Sequence, residues 1–537
     1  MSSFRLNPLW PINFEGGYKM YLPLGTFSPD VKIALVSASR DCFPRELSQS
    51  RTDKLLAQCK KRDISLFVPE GDCRIIESKE HALEAVRQIR AADCDGVVLF
   101  LGNFSPEIED AFFVKKFAGP VTVMAAAEES ASNMVADRGD ALCGMLSAML
   151  AIKKRDLMHN VFLPSDPVVT AEQGARAIDR FARIMKVVKG IRNATLGLFG
   201  PRPRDFETCN YNIASLSSLG LEIEEFGFFD LANEARRAIA EADLSGIIAS
   251  MQAEMNSLPA GDFADRLAAY EQAVLSFREQ LQLSGMTTQC WTEQEEVLKH
   301  VPCYINARMA ARGFPIACEN DAHSLAAELM GQYATDQSVT ILDLNHSIPS
   351  DLDAILADYP LQDVVGLFHC GNTDPRRLKN PSMKFQLIMN RMMESGGNPD
   401  ITRGTIEGQI AASPITVLQI HGIGDALQAY ILEGEFLDLD PKTFGCTGTA
   451  YLPGFRRFYR QVLLGRFHHH AAVAFDHCGG VLYDAFKLLG IDTIFTPLTE
   501  KPLYPGENPF DESATTGRAG GMRMAPGRGR ATSAGGR

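Results

Sequence analysis

Short apolar runs that alternate with helical patterns constrain the fold of this chain most strongly. In the first part of the sequence these runs lie at 31–39, 64–69, 96–101 and 121–126, and helical patterns near 47–61 and 78–91 separate them. Strands that alternate with helices of this length predict a parallel sheet covered on both faces. Ligands of such sheets bind at the carboxyl ends of the strands, so the loop after the first strand, residues 39–46, is a candidate binding loop.

A second unit of the same kind starts near residue 166. A helical pattern at 171–188 leads into apolar runs at 194–200, 221–228 and 246–250, which we interpret as strands, and a helix is predicted at 262–283. The sequence contains neither a P-loop nor a GxGxxG motif after a strand. These absences predict that the protein uses no nucleotide cofactor.

The texture changes after about residue 350, where alternating segments are separated by turns: TIEGQI, ITVLQI, LQAYILEGEFL and GTAYL. This pattern is typical of an antiparallel barrel or sandwich. We therefore predict two Rossmann-like parallel α/β domains followed by a C-terminal antiparallel β-barrel-like domain. The predicted boundaries are 1–165, 166–350 with Glu319 and Asp343, and 351–510 with His470. Residues 511–537 lack an apolar pattern and are predicted to form a disordered tail.

Composition indicates which binding partners are expected and in which cellular compartment the protein is expected. The net charge of −13 argues against general nucleic-acid binding, although the basic tail leaves contact with RNA or acidic surfaces open. No apolar run approaches the ~20 residues of a membrane helix, and no secretory signal is visible. The 12 cysteines form no CxxC pair, which predicts reduced thiols and a cytoplasmic protein.

Three stretches place ionisable side chains beside apolar runs. They contain Glu319 in Cys318–Asp321, Asp343 after Val339–Leu342, and the histidines 468–470 before Ala471–Phe475. Because an isolated buried charge is very costly, such groups need partners. Two carboxylates and an imidazole suit a divalent ion such as Mn2+. Spacing alone leaves open a helix cap at Glu319, a turn at Asp343 and exposed histidines.

Six segments occur in an order that resembles the L-fucose isomerase-like family and, more distantly, L-arabinose isomerase. They are CENDAHSLAAELMG, VTILDLNH, LFHCGNTDPRRL, RGTIEGQIAASPITVLQIHG, EGEFLDLDPKTFGCTGTAYLPG and HHHAAVAFDHCGGVLYDAFKLLGI. The resemblance implies a metal-dependent aldose–ketose isomerase for L-fucose, D-arabinose or a related sugar. It also implies Mn2+ or another divalent cation such as Co2+, and a homo-oligomer, either a trimer or a hexamer.

Specific roles follow from the same resemblance. Glu319 and Asp343 would bind the metal and transfer protons through an enediol intermediate, and His470 would be the third ligand. The alternative to proton transfer is a hydride shift that leaves the two carboxylates as ligands only. His470 is preferred over His468 and His469 because Gly490–Asp492 stands at the offset that the arabinose isomerase pattern suggests.

Sugar recognition requires hydrogen-bonding groups and an apolar face. The candidates are Arg45, whose FPREL segment resembles a loop of the family, and Arg202, Gln289, Trp291, His369, Asn372 and Tyr451. Only two tryptophans are present, so the family's substrate-contacting tryptophans are partly traceable and the sugar stays open. Two alternatives remain: a catalytically silent sugar-binding or sensor protein, and an isomerase for a modified hexose, including an anionic one.

Overall fold

The computed structural model describes residues 24–511 except 132–133, 136–137, 353–355, 357, 390–398, 425, 500 and 505. All but the first residue of the predicted tail lies outside the described residues. The predicted fold class is confirmed: two parallel sheets with helices precede an antiparallel sheet that closes into a barrel. Within the described residues, no helix combines the length and apolar character that crossing a membrane requires.

The first sheet is entirely parallel and has the strand order β2-β1-β4-β5-β6, with β3 beside β1 and β7 beside β5. Its strands are β1 (Ile33–Ala38), β2 (Leu66–Phe67), β3 (Ile75–Ile76), β4 (Gly96–Leu101), β5 (Val121–Ala126), β6 (Val161–Phe162) and β7 (Val168–Val169). Its helices are α1 (Arg45–Lys61), α2 (Lys79–Ala91), α3 (Glu107–Phe117) and α4 (Ala141–Lys153). Strands β1, β4 and β5 are buried along their whole length, as continuous apolar runs predict for a doubly covered sheet.

A 22-residue helix, α5 (Ala171–Arg192), joins the first sheet to the rest of the protein. Its start is stabilised by a capping box between Thr170 and Gln173, which satisfies backbone groups that the first turn leaves free. Arg180 of this helix forms ion pairs with Asp484 at 2.6 Å and Asp511 at 2.5 Å. The helix therefore ties the N-terminal region to the last described residues.

The second sheet is parallel with the order β11-β10-β8-β9. Its strands are β8 (Thr195–Phe199), β9 (Glu222–Phe226), β10 (Gly285–Thr288) and β11 (Ile316–Ala317). Its helices are α6 (Ile213–Ser217), α7 (Phe228–Glu241), α8 (Ser245–Glu254), α9 (Asp262–Leu281), α10 (Glu295–Leu298), α11 (Cys303–Ala311) and α12 (Ala322–Thr335).

The strand predicted at 246–250 was wrong, because this segment lies inside helix α8. Leu244, Met251 and Met255 are buried at helical spacing, while Ile247 and Ile248 are only half-buried. The helical spacing of apolar residues over 244–255 therefore determines the structure, and the two adjacent isoleucines in 246–250 do not.

The third sheet closes on itself. Six antiparallel strands follow one another in the order β18-β13-β12-β19-β16-β17, and β17 pairs back to β18. The sheet comprises β12 (Val339–Ser347), β13 (Val364–His369), β14 (Leu378–Phe385), β15 (Arg403–Ile410), β16 (Ser413–Ile423), β17 (Ala426–Phe436), β18 (Cys446–Tyr451), β19 (His470–Ala474) and β20 (Thr493–Phe495). Helices α13 (Phe455–Leu464) and α14 (Gly479–Leu488) lie between its later strands.

Strand β12, which carries Asp343, is hydrogen-bonded into this barrel. The division of the chain at residues 165 and 350 stays a prediction. Helix α12 packs closely across β12, β19 and β16. A Cβ at Gly331 would lie 3.3 Å from Val339, 3.5 Å from Ala474 and 3.6 Å from Leu418. The N-terminus of α12 is thereby held against one end of the barrel.

Candidate active site

The carboxyl edge of the second sheet supplies one half of a polar cluster. Strand β8 leads to the loop with Cys209, β10 leads directly to Gln289, and β11 leads to Glu319. Since β8, β10 and β11 are neighbouring parallel strands, these segments leave the sheet from the same edge. This is the edge at which open α/β sheets bind ligands.

The turn after β11 has an unusual backbone. Glu319 and Asn320 both adopt the left-handed conformation, with φ of 61° and 58°. This conformation costs a non-glycine residue roughly 1–2 kcal/mol. It is held by a hydrogen bond from the Thr287 hydroxyl to the Asn320 side chain and by Asp321, which caps α12 by accepting from the Ser324 backbone N–H at 3.0 Å. The surrounding contacts thus fix the direction of the Glu319 side chain.

The barrel supplies the other half of the cluster. Asp343 in β12 lies directly opposite His470, the first residue of β19, and opposite Phe368 in β13. His369 follows Phe368 at the end of β13, and its ring centroid is 6.0 Å from that of His470. Residues that are far apart in sequence therefore meet at one end of the barrel.

His470 is the centre of the cluster. Its Nε2 lies 3.3 Å from Glu319 Oε2 and 3.7 Å from Asp343 Oδ1, and its Nδ1 lies 2.8 Å from Asp321 Oδ2. A carboxylate at Nδ1 accepts a hydrogen bond from that nitrogen, so in the neutral ring Nε2 presents a lone pair towards Glu319 and Asp343. Carboxylate–histidine pairs of this kind orient metal-ligating imidazoles.

The other two histidines occupy different environments. His468 is buried, accepts the His470 backbone N–H at 3.1 Å, and has its Nε2 3.4 Å from Asp321 Oδ2. The His469 side chain is 41% exposed and reaches Asp343 Oδ1 only at 3.9 Å. Of the three histidines, His470 has a ring nitrogen within 4 Å of both predicted carboxylates.

Three groups of potential ligands share His470. One adds Glu319 and Cys209, the second adds Asp343 and His369, and the third consists of Asp321, His468 and His470; within each group the ligand atoms lie within 4.8 Å of one another. Glu319 and Asp343 thus approach the same nitrogen but belong to different groups. His470 Nε2 and Asp343 Oδ1 are buried and make no hydrogen bond within the described residues. Nitrogen and oxygen atoms of this kind are suitable ligands for a divalent cation.

Family models match both flanks of this cluster. The model of the fucose/sulfoquinovose isomerase N-terminal domain matches residues 34–192, and that of the L-fucose isomerase C-terminal domain matches residues 367–496. Together the matches cover just over half of the chain, and the second includes His369 and His470. No curated protein sequence matches the chain.

The chain belongs to the L-fucose isomerase-like family. It is therefore an aldose–ketose isomerase that acts on a sugar. Its fold also agrees with the assignment, since two parallel α/β units precede a closed antiparallel barrel.

Burial and neighbouring charges push the pKa values of the isomerase's two carboxylates in opposite directions. Burial raises the pKa of Asp343 to about 6, against the opposing effect of His470. Burial also disfavours the charged form of Glu319, but the histidines around it more than compensate, so its pKa lies below its ordinary value. Burial acts on His470 as well, yet the carboxylates hold its pKa well above the ordinary value. Paired groups with separated pKa values are typical of acid–base sites.

Four of the candidate sugar-binding residues lie next to the cluster or behind it. His369 belongs to the Asp343 group, and burial lowers the pKa of this residue to about 3, which leaves its ring neutral. Gln289 is 9% exposed, and its side-chain oxygen has no hydrogen-bond partner in the described part of the chain. Trp291 packs against a small apolar cluster that includes Cys370, the neighbour of His369, and it lies edge-on to Phe206 with ring centroids 5.9 Å apart. Asn372 is buried, and its amide lies 4.0 Å from the thiol of Cys318, the residue before Glu319.

The structure does not bring three other candidates to the cluster within one chain. Tyr451 pairs with Val364, while His369 pairs with Cys446 at the other end of the same strands, about 17 Å away. Arg45 lies at the start of α1 and forms an ion pair with Glu77. Arg202 folds back on its own loop and donates to the carbonyl oxygen of Arg204 at 2.8 Å.

Sequence reasoning missed three members of the cluster: Asp321, His468 and Cys209. Asp321 was named as the end of the segment Cys318–Asp321 and not as a site residue; in the structure it caps α12 and also accepts a hydrogen bond from His470. His468 was considered only as an alternative ligand. Cys209 stands in a loop without apolar periodicity, and no signal in the sequence connects it with residues 110 positions away.

Proposed function

We propose that this isomerase interconverts L-fucose, D-arabinose or a sugar of similar stereochemistry with its ketose, with Glu319, Asp343 and His470 as the reactive centre. The observation that carries the proposal is the convergence of both carboxylates on Nε2 of His470, which makes no hydrogen bond within the described residues. A sugar-binding protein without catalysis has no need for one buried and one half-buried carboxylate that converge on a single imidazole nitrogen.

The reaction moves one proton between neighbouring carbons and another between their oxygens. We infer that Glu319 and Asp343 make these transfers through an enediol, each as general acid or base. Such groups contribute roughly 10²–10⁴-fold to rate. The two side chains both approach His470 Nε2 but belong to separate groups, so they can address different atoms of one substrate.

A divalent cation fits the same residues. Glu319, Asp343 and His470 would hold it, and Mn2+ or Co2+ suits their oxygen and nitrogen donors. When bound, the ion polarises the two neighbouring sugar oxygens and stabilises developing negative charge. Asp321 keeps the His470 ring in the tautomer that directs the Nε2 lone pair to this point.

The paired arginines favour a neutral sugar over an anionic one. Arg45 is engaged by Glu77, and Arg202 is engaged by Asn210 and by carbonyl oxygens of its own loop. A guanidinium directed at the charged group is a common partner of an anionic sugar. We infer that neither of these arginines selects for such a substrate.

We also propose a homo-oligomer, a trimer or a hexamer. Leu142, Leu146 and Leu150 lie four residues apart on α4, so they share one face of the helix, and all three are exposed. Burying this apolar face against another subunit would be favourable. In such an assembly Arg45 would serve the sugar site of a neighbouring subunit.

A panel of aldoses tests the function. The metal-loaded protein, incubated with L-fucose, D-arabinose, L-arabinose and sulfoquinovose, is expected to form ketose from one of the first two and little from the anionic sugar. Glu319→Gln and Asp343→Asn should each reduce kcat by at least about 10³-fold. Glu279→Gln, at an exposed position of α9, is the matched control and should keep full activity. Near-normal turnover in either active-site variant would refute the proposed mechanism.

Isomerisation in D2O separates the two chemical routes. Transfer by a carboxylate is expected to place deuterium on the carbon that receives the proton, and early time points must be sampled before exchange obscures the result. A product that is unlabelled at all times would assign the reaction to a hydride shift and leave Glu319 and Asp343 as ligands only.

A further inference from the structure

Cys209 is a buried cysteine that lies beside two ionisable side chains. Its Sγ lies 3.6 Å from Glu319 Oε2, and its thiol, the Glu319 carboxylate and a ring nitrogen of His470 lie within 4.8 Å of one another. Cys59, by contrast, is buried in the apolar core of the first α/β unit. A cysteine that only fills space has no reason to face a carboxylate and an imidazole.

The loop that carries Cys209 is held in place. The Arg202 guanidinium donates to Asn210 Oδ1 at 2.5 Å and to the Arg204 carbonyl oxygen at 2.8 Å, and the Cys209 backbone N–H donates to the Phe206 carbonyl oxygen at 3.0 Å. These bonds span the loop on both sides of the cysteine. The position of its sulfur is therefore part of the framework of the site.

Two of the three distances within this group match those of ligands that share one cation. Sulfur binds borderline divalent ions at about 2.3 Å and nitrogen or oxygen at about 2.0–2.2 Å, so tetrahedrally arranged ligand atoms lie about 3.3–3.6 Å apart. The Cys209–Glu319 distance is 3.6 Å and the Glu319–His470 distance is 3.3 Å. In addition, His470 Nε2 is buried and makes no hydrogen bond within the described residues.

We propose that Cys209 is a further ligand of the divalent cation, bound through its sulfur beside Glu319 and His470. This inference rests on the proposed metal dependence and deepens it, because it concerns the choice of ion. A thiolate is a softer ligand than a carboxylate and favours Co2+ or Zn2+ over Mn2+. Binding of the ion releases the thiol proton to solvent, as it does for any metal-ligating cysteine.

Cobalt spectroscopy on the full chain tests the proposal without relying on activity. Metal-free protein is titrated with Co2+, and one equivalent is expected to produce a sulfur-to-cobalt charge-transfer band in the near ultraviolet together with the visible bands of the ion. The ultraviolet band should disappear in Cys209→Ser while the visible bands persist. Cys143→Ser, at an exposed position of α4, is the matched control and should keep both.

Competition between Co2+ and Mn2+ provides a second measurement, which is independent of the spectrum. Cys209→Ser is expected to lose at least about tenfold in Co2+ affinity and markedly less in Mn2+ affinity, which shifts the preference between the two ions. Circular dichroism of the metal-free variant checks that it is folded. If it is not, the charge-transfer band of the wild-type Co2+ protein still tests the proposal.

The outcomes separate this inference from the proposed function. Stoichiometric Co2+ binding that His470→Ala abolishes, but without a charge-transfer band in the wild type, would overturn the role of Cys209 and leave the metal site intact. A band that persists in Cys209→Ser would also overturn it. Failure of the wild type to bind Co2+ and Mn2+ would overturn both proposals.

Discussion

Replacing Asp321 by asparagine tests the part of the site that sequence reasoning missed. Asp321 Oδ2 lies 2.8 Å from His470 Nδ1 and accepts the Ser324 hydroxyl at 2.5 Å, and Oδ1 accepts the Ser324 backbone N–H at 3.0 Å. Asparagine keeps one oxygen for the helix cap, so its amide NH2 must face His470. Two donors would then meet unless the imidazole changes tautomer and protonates Nε2.

The expected loss can be worked out from these contacts. Protonation of Nε2 blocks the nitrogen that lies 3.3 Å from Glu319 and 3.7 Å from Asp343. Removing a carboxylate that orients a ligating histidine typically weakens metal binding by about 10–100-fold, which corresponds to about 1.4–2.8 kcal/mol. The helix cap is retained, so the roughly 1 kcal/mol that a lost cap would cost does not add to this effect.

Calorimetric titration of metal-free protein with Mn2+ measures the effect. Ser324→Ala is the matched control: it removes a hydroxyl that donates to the same carboxylate and accepts from Gln419 at 2.8 Å, but it leaves the bond between Asp321 and His470. Its metal affinity should stay within about threefold of the wild type. Unchanged Mn2+ affinity in Asp321→Asn, or an equal loss in Ser324→Ala, would refute the assigned role of Asp321.

The remaining predictions concern pH, the sugar site and the C-terminal segment. Burial raises the pKa of Asp110 to about 7, so the folded protein favours the protonated carboxyl. The contribution of Asp110 to the free energy of unfolding is therefore fully present below about pH 4 and is lost as the pH rises through 7. In urea unfolding, Asp110→Asn should therefore be more stable than the wild type by about 2–4 kcal/mol at pH 8 and not at pH 4, and parallel pH profiles would contradict this. Arg45→Ala should raise KM or lower kcat/KM in steady-state assays with metal content unchanged; full activity or loss of metal would remove Arg45 from the sugar site. Arg180→Ala breaks the ion pairs to Asp484 and Asp511 and should make the C-terminal segment easier to cleave in limited proteolysis, by a destabilisation of about 1–3 kcal/mol; cleavage at the wild-type rate would contradict it.

Most of the fold could be predicted because its signals are local. Strands such as Gly96–Leu101 and Val121–Ala126 coincide with the predicted apolar runs, and helices α5 and α9 start at the predicted residues 171 and 262. The failure at 246–250 has the same origin, since a run of five residues is too short to distinguish a buried strand from one turn of a helix.

The residues that we propose as ligands could be named from the sequence, whereas the residues that support them could not. Glu319, Asp343 and His470 follow from ordered motifs, and the structure brings them together. Tyr451 was chosen by the character of its segment, and strand register places it at the opposite end of the barrel. Register depends on partners that the segment itself does not specify.

The sequence by itself determined the succession of elements, the family and the chemical types of side chain at the site, because periodicity and motif order are properties of the chain. Only the tertiary structure decided which atoms meet. The pairing of β12 with β19 places Asp343 opposite His470, and the packing of α12 across both strands brings Asp321 to the same imidazole. The common edge of β8 and β11 places Cys209 beside Glu319. Contacts across more than 100 residues arise from the geometry of sheets and helices packed in space, which no local pattern encodes.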